Sequence, residues 1–227
     1  TGGSRPLLPA AEGIEDGDGR VMFQIPKERE LGPGKHRVRL VVAGDQSSVD
    51  LFLDVVPPKT PIFISDVDGT LTSSENVEFI KLLTGDLPET HPGAPEALRA
   101  LAEKGYRPIY VTARPEWLVP RTREFLELHG FPPGIIHTST SITGAGFGSS
   151  AAAFKVDELR ALAEAKGLVP SFGFGNMPSD SDAYASASIE PADHRIFYQI
   201  DGAFTGKRIE SYTELLPAFT ALPAVCK

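Results

Sequence analysis

The sequence predicts an α/β fold, a parallel sheet with helices on both faces, preceded by a small β-rich segment. Three observations lead there. From residue 58 onward, short apolar runs of strand character alternate with longer helical stretches. Between residues 20 and 57, polar and apolar residues alternate instead, with turns rich in Gly, Pro and Asp. Finally, the polar residues with chemical potential fall directly after predicted strands, where parallel sheets place their ligands.

Residues 1–19 are rich in Gly, Pro, Asp and Glu without periodicity and read as a flexible leader. In the β-rich segment, residues 20–57, three strands are expected at Val21–Ile25, Lys35–Val42 and Ser48–Val56. Three strands alone do not make a stable sandwich. The segment therefore either packs on the α/β domain or is part of an immunoglobulin-like sandwich.

Residues 58–227 form the α/β domain. Strands are predicted at Pro61–Ser65, Arg107–Thr112, Gly134–His137, Ser171–Phe174 and Arg195–Ile200. Helices are predicted at Ala94–Lys104, Glu116–His129, Ala151–Lys166, Ser179–Ser186 and Tyr212–Ala221. Gly105, Gly130 and Gly167 stop the first three, and Pro115 opens the second.

Composition bounds the function. The chain has 227 residues, is 41% apolar and 23% charged, and carries a formal net charge of −8. That charge argues against nucleic acid as a partner. Any anionic substrate must instead meet a local cluster of cations. No apolar run approaches the roughly 20 residues needed to span a bilayer. The lone Cys226 has no internal partner for a disulfide. Thr1-Gly2-Gly3-Ser4 is the kind of stretch that follows the modified cysteine of a bacterial lipoprotein, which suggests a processed, exported protein.

Four motifs carry the chemistry. Asp66-Val67-Asp68-Gly69-Thr70 leaves the first buried strand. Two carboxylates two residues apart at a strand end repel unless a cation joins them. Phosphoryl transfer gives them a use: one attacks phosphorus and holds Mg2+, the other protonates the leaving oxygen and later takes a proton from water. Asp-Gly alone would read as a turn. Thr112, in Val111-Thr112-Ala113-Arg114-Pro115, ends the next strand; its hydroxyl suits a phosphoryl oxygen or a helix cap. Lys155 lies near the start of a helix, either as a phosphate partner or as a surface lysine. Asn176 and Asp180, in Gly173-Phe174-Gly175-Asn176-Met177-Pro178-Ser179-Asp180, offer hard oxygens to Mg2+ or form an Asx turn. Turns explain each motif singly, but poorly explain four at successive strand ends.

This order resembles the haloacid dehalogenase (HAD) superfamily. Within it, Ser65–Thr72 and Phe174–Asp180 resemble the catalytic domain of lipins, the phosphatidate phosphatases. Pro92–Tyr106 and Ile109–Pro115 are similar to the lipin-like (LNS2) domain of membrane-associated phosphatidylinositol transfer proteins. The β-rich segment ahead of Ser-Asp-x-Asp is similar to that of fungal actin-patch phosphatidate phosphatases. The resemblance covers about residues 60–215. It implies a HAD-type, Rossmann-like sheet without a large cap, and Mg2+ as cofactor. It implies Asp66 as nucleophile and metal ligand, Asp68 as acid/base with its carbonyl on the metal, and Thr112 and Lys155 on the phosphoryl group. Gly69, Thr70, Ala113 and Arg114 would line the substrate, and Asn176 and Asp180 would complete the metal shell. The transfer-protein domains lack an acid at the position of Asp66 and bind phosphatidic acid without turnover; retention of Asp66 implies competence here.

The segments Leu71–Gly93 and Thr112–Lys155 are too short for a large cap, and an open site suits a lipid or protein substrate. Trp117 with Arg114, Arg121 and Arg123 is either a membrane-facing rim or a helix with one face in the core. Gly144–Gly148 is a glycine-rich connector, not a P-loop, since it lacks a Gly-Lys-Ser/Thr end. His91 and His194 are candidates to reach a head group. The expected partner is a phosphorylated lipid, with peripheral membrane contact. A soluble phosphate ester or phosphoprotein, or phosphatidic-acid binding without turnover, are the alternatives.

Overall fold

The structure is a computed structural model that describes residues 24–73, 87–139 and 149–225. The leader, with its Thr1–Ser4 opening, the expected strand residues Val21–Phe23, the Gly144–Gly148 connector and Cys226 lie outside the described residues. The chain divides into two compact units, Thr1–Pro57 and Pro58–Lys227.

In the first unit, β1 (Gly34–Val41) and β2 (Ser48–Val55) pair antiparallel, with Val38 opposite Leu51 and Leu40 opposite Val49. Their period-two alternation puts His36, Val38, Leu40, Val49, Leu51 and Leu53 on one face. Arg39 and Asp50 meet on the other face at 2.8 Å.

The second unit contains a six-stranded, wholly parallel sheet. Its strands are β3 (Ile62–Ser65), β4 (Arg107–Pro115), β5 (Ile135–Ser139), β6 (Pro170–Gly175), β7 (Arg195–Tyr198) and β8 (Lys207–Ile209). Their order is β5-β4-β3-β6-β7-β8. The helices among the described residues are α1 (Ala94–Glu103), α2 (Val119–Leu128), α3 (Ser149–Lys166), α4 (Pro178–Ser186) and α5 (Leu216–Ala221). α1 packs against α5, and α3 against α4. Phe63, Tyr110, Phe172 and Phe174 of the central strands join Leu98 and Leu101 of α1, Phe125 of α2 and Phe219 of α5 in one apolar cluster. All four residues of β3 are buried, which is why this strand reads as a continuous apolar run rather than an alternating one.

Several boundaries differ from expectation. α2 begins at Val119 and not Glu116, because Pro115 completes β4 and residues 116–118 form a 3-10 turn ahead of Pro120. β4 runs three residues beyond the predicted Thr112. β7 stops at Tyr198, since Gln199 adopts a left-handed conformation (φ 46°) that ends the ladder. The edge strand β8 is too short and too polar to be seen as a strand in the sequence. No helix among the described residues is long and apolar enough to cross a membrane. The Leu71–Gly93 segment is described at its ends, where Thr72 bridges Thr90.

The topology fixes where a ligand can sit. The chain steps outward from β3 to β4 and β5, then returns across β3 to β6. The crevice at that reversal lies beyond the carboxyl ends of β3 and β6.

Candidate active site

Asp66 comes directly after β3, and its N–H donates to the Phe174 carbonyl of β6 at 2.9 Å. This bond sets the start of the Asp66–Thr70 turn beside Asn176, the residue after β6. Gly69 makes the turn possible. Its φ of 72° lies in the left-handed region, its N–H donates to Thr72 Oγ1 at 2.9 Å, and its carbonyl faces His91 Nε2 at 3.1 Å. Thr70 then points back, with its hydroxyl 3.1 Å from Asp66 Oδ2 and 3.0 Å from Asn176 Oδ1.

Lys155, on α3, closes the other side. Its ammonium lies 2.9 Å from Asp66 Oδ1 and 2.6 Å from Asp180 Oδ1, and all three side chains are buried. Burial pushes the Asp66 carboxyl up, opposed by Lys155 and reinforced by Asp180 and Asp68, to about 7. Burial works against the Lys155 charge, but the two carboxylates outweigh it and raise its proton affinity. One turn along α3, Glu158 meets His137 of β5 at 2.6 Å and is held below the usual carboxylate range by that bond. The pair ties the helix that carries Lys155 to the sheet.

Asp68 faces the end of β4. It accepts from the Thr112 hydroxyl at 2.9 Å and from the Arg114 guanidinium, whose Nη2 lies 2.6 Å and Nε 3.0 Å from Oδ1. Thr112 Oγ1 in turn accepts from the Arg114 N–H at 3.2 Å. Ala113, between them, is half-buried and takes no part in these bonds.

The structure thus gathers Asp66, Asp68, Gly69, Thr70, Thr112, Lys155 and Asn176 at one sheet edge. Asp180 turns inward: Oδ1 is on Lys155, and Oδ2 accepts from the Asn176 and Met177 N–H groups at 3.0 Å each. It is fully buried and shapes the loop that carries Asn176. One expectation is corrected: Arg114 does not face the substrate opening. Its side chain is 2% exposed and committed to Asp68 and Thr122. Thr122 and Tyr198 were missed by sequence reasoning, since neither stands in a motif.

Whether the site fits Mg2+ turns on its oxygens. The single proton of the Thr70 hydroxyl serves two oxygens, Asp66 Oδ2 and Asn176 Oδ1. Asp66 and Asp180 also share one lysine, leaving negative charge in excess. Among the described residues no three His, Cys, Asp or Glu side chains are grouped to hold a metal. Mg2+ does not require that: it takes one or two carboxylates, with waters and other hard oxygens. The Asp66 carboxylate and the Asn176 side-chain oxygen, brought together on the Thr70 hydroxyl, therefore fit it.

A cleft of about 380 Å3 opens beside Gly69 and Asn176. His91, Tyr198, Gln199, Met177 and Asp201 line it. His91 and Tyr198 stack with ring centres 3.9 Å apart, and burial lowers the proton affinity of His91.

Residues 63–200 match the model of the PITM 1-3 LNS2 domain, and residues 9–55 that of the PITM 1-3 beta-sandwich domain. Protein retinal degeneration B of Drosophila melanogaster is 38% identical over 123 residues, 54% of this chain and 9% of that protein. Membrane-associated phosphatidylinositol transfer protein 1 of Rattus norvegicus is 30% identical over 179 residues, 79% of this chain and 13% of that protein. The chain thus spans about a tenth of the length of these relatives. Among solved structures, a HAD-like phosphatase of Mesorhizobium loti aligns over 87% of this chain and 99% of its own, with 14% identity and a TM-score of 0.48. The HAD domain of the Legionella pneumophila effector Lem4 aligns over 67% and 86%, with 13% identity and a TM-score of 0.42. The matched residues 63–200 include every residue gathered at the sheet edge, and the chain belongs to the PITM 1-3 LNS2 domain family.

Proposed function

We propose that the chain is a Mg2+-dependent phosphomonoesterase whose substrate is phosphatidic acid. The observation that carries this reading is the pair of carboxylates at the end of β3, the first on a buried lysine and the second partly open to solvent at 31% side-chain exposure.

In the first step an Asp66 oxygen attacks phosphorus, and the bond to the leaving oxygen breaks as the Asp66–phosphorus bond forms. Asp68 gives that oxygen its proton, so diacylglycerol departs neutral. In the second step water attacks phosphorus, Asp68 takes back a proton, and Asp66 is released with inorganic phosphate. Lys155 stabilises charge on Asp66 and on the phosphoryl oxygens. Thr112 and Arg114 orient Asp68, and Asp180 holds Lys155 and the Asn176 loop. Asp66, Asn176 and the Asp68 carbonyl would hold Mg2+. When bound, Mg2+ would keep Asp66 ionised and draw charge from the phosphoryl group.

Two observations favour a lipid. The relative from Rattus norvegicus is named a membrane-associated phosphatidylinositol transfer protein. Trp117, just past β4, and Met177, just past β6, are 50% and 44% exposed and flank β3 at the edge that carries Asp66. Such side chains suit the acyl boundary of a bilayer.

The test is phosphate release from phosphatidic acid in mixed micelles, with Mg2+ or EDTA. Mg2+-dependent release is expected. Binding to phosphatidic acid vesicles without release would make the chain a lipid-binding module. Release from soluble esters but not from the lipid would move the substrate to the soluble class.

A further inference from the structure

Arg114 is a buried cation at the site that the proposed chemistry does not spend on phosphate. Thr112 and Arg114 lie at the carboxyl end of β4, where its pairing with β5 turns irregular. Both reach Asp68. The guanidinium grips the carboxylate as a fork, with Nη2 2.6 Å and Nε 3.0 Å from Oδ1, and Nε 3.1 Å from Oδ2. Its remaining nitrogen, Nη1, donates to Thr122 Oγ1 at 3.0 Å. Thr122 is fully buried and donates its own proton to the Leu118 carbonyl at 3.1 Å, which leaves its lone pair for Arg114. The side chain is therefore fixed at both ends, by α2 and by the turn after β3. At 2% exposure it offers nothing to a ligand in the opening, whereas Asp68, at 31%, does.

Resting on the phosphatase reading, we infer that Arg114 is a positioning residue for Asp68, and that the Arg114–Thr122 brace fits the site to phosphate esters with poor, alkoxide-type leaving groups. An alkoxide cannot depart without a proton, so its ester depends on where Asp68 points. An aryloxide departs without one. A misaligned Asp68 therefore slows alkyl esters and spares aryl esters in the step that breaks the leaving bond. An arginine that bound the phosphoryl group would affect both alike, and would also set the affinity for inorganic phosphate.

The experiment compares kcat/KM, which reports steps through departure of the leaving group, for glycerol 3-phosphate or short-chain phosphatidic acid against p-nitrophenyl phosphate. The inhibition constant of inorganic phosphate is measured in parallel. Proteins are wild type, Arg114→Gln, Arg114→Lys and Thr122→Val, each checked for a cooperative thermal transition. Arg114→Gln is expected to lose about a hundredfold on the alkyl ester, in the range of general acid catalysis, and less than about tenfold on the aryl ester. The phosphate inhibition constant should not move. Arg114→Lys, which keeps the charge but not the fork, and Thr122→Val, which keeps the arginine but not its anchor, should show smaller losses with the same selectivity. These two variants carry the test if Arg114→Gln does not fold. Equal losses on both esters, or weakened phosphate inhibition, would overturn the inference and leave the phosphatase reading standing. A wild type that hydrolyses neither ester would overturn both.

Discussion

The proposed nucleophile is held at a cost to the fold, and replacing it should stabilise the metal-free protein. Asp66 is buried with two other carboxylates nearby, and its midpoint moves from the ordinary 3.8 to about 7. For an acid, a raised folded value means that the native state holds the proton more tightly than the unfolded chain. The contribution of Asp66 to stability is then most favourable below about pH 4, falls as pH rises toward 7, and is flat above. At roughly 1.4 kcal/mol per pH unit, the ionised carboxylate costs on the order of 4 kcal/mol above neutrality. Asp66→Asn removes that cost. It keeps an oxygen for Lys155, which also retains Asp180 at 2.6 Å. Allowing for the weakened pair, a net gain of roughly 2 kcal/mol remains, or about 4–8 °C in Tm for a domain of this size. The assay is thermal unfolding in EDTA at several pH values. The gain should grow between pH 4 and 7, and Mg2+ should then raise the Tm of wild type but not of the variant. A variant less stable than wild type at pH 8, or a difference independent of pH, would show that the Asp66 charge does not strain the fold.

Lys155→Met leaves Asp66 and Asp180 facing each other without their shared cation, and should lower stability at pH 8 by about 3–5 kcal/mol in urea titration. In Gly175→Ala the new methyl would lie 2.5 Å from Asp180 Cβ and 2.7 Å from its Oδ2; displacing that carboxylate should cost roughly 2 kcal/mol and lower phosphatase turnover. Trp117→Ala, at a half-exposed position, should leave hydrolysis of a short-chain soluble ester unchanged while reducing turnover of phosphatidic acid in vesicles, measured by sedimentation and phosphate release.

The fold was legible where local pattern and tertiary environment agree. β3 is apolar in sequence because it is buried on both faces, and α1 shows its core face through Leu98, Leu101 and the partly buried Ala102. β8 was hidden because Lys207-Arg208-Ile209 offers no periodicity, and only pairing with β7 makes it a strand. The start of α2 was misplaced because proline opens helices and ends strands equally well, and only the sheet register shows that Pro115 belongs to β4. At the site, the motifs located Asp66, Asp68, Thr112, Lys155 and Asn176 without their mutual orientation. Nothing in the sequence shows that Asp180 turns into Lys155 and not outward, or that Arg114 is clamped between Asp68 and Thr122. The Lys155–Asp180 and Arg114–Asp68 contacts join residues 25 and 46 positions apart.

On the proposed mechanism, Asp66 itself carries the phosphoryl group between the two steps. The direct measurement is to mix the protein with phosphatidic acid and Mg2+, quench in acid within the first turnover, and locate covalent phosphate by peptide mass spectrometry. Phosphate is expected on the peptide containing Asp66, and is expected to be absent in EDTA and in Asp66→Asn. Turnover of the lipid with no phosphate on that peptide, or undiminished turnover by Asp66→Asn, would contradict the mechanism.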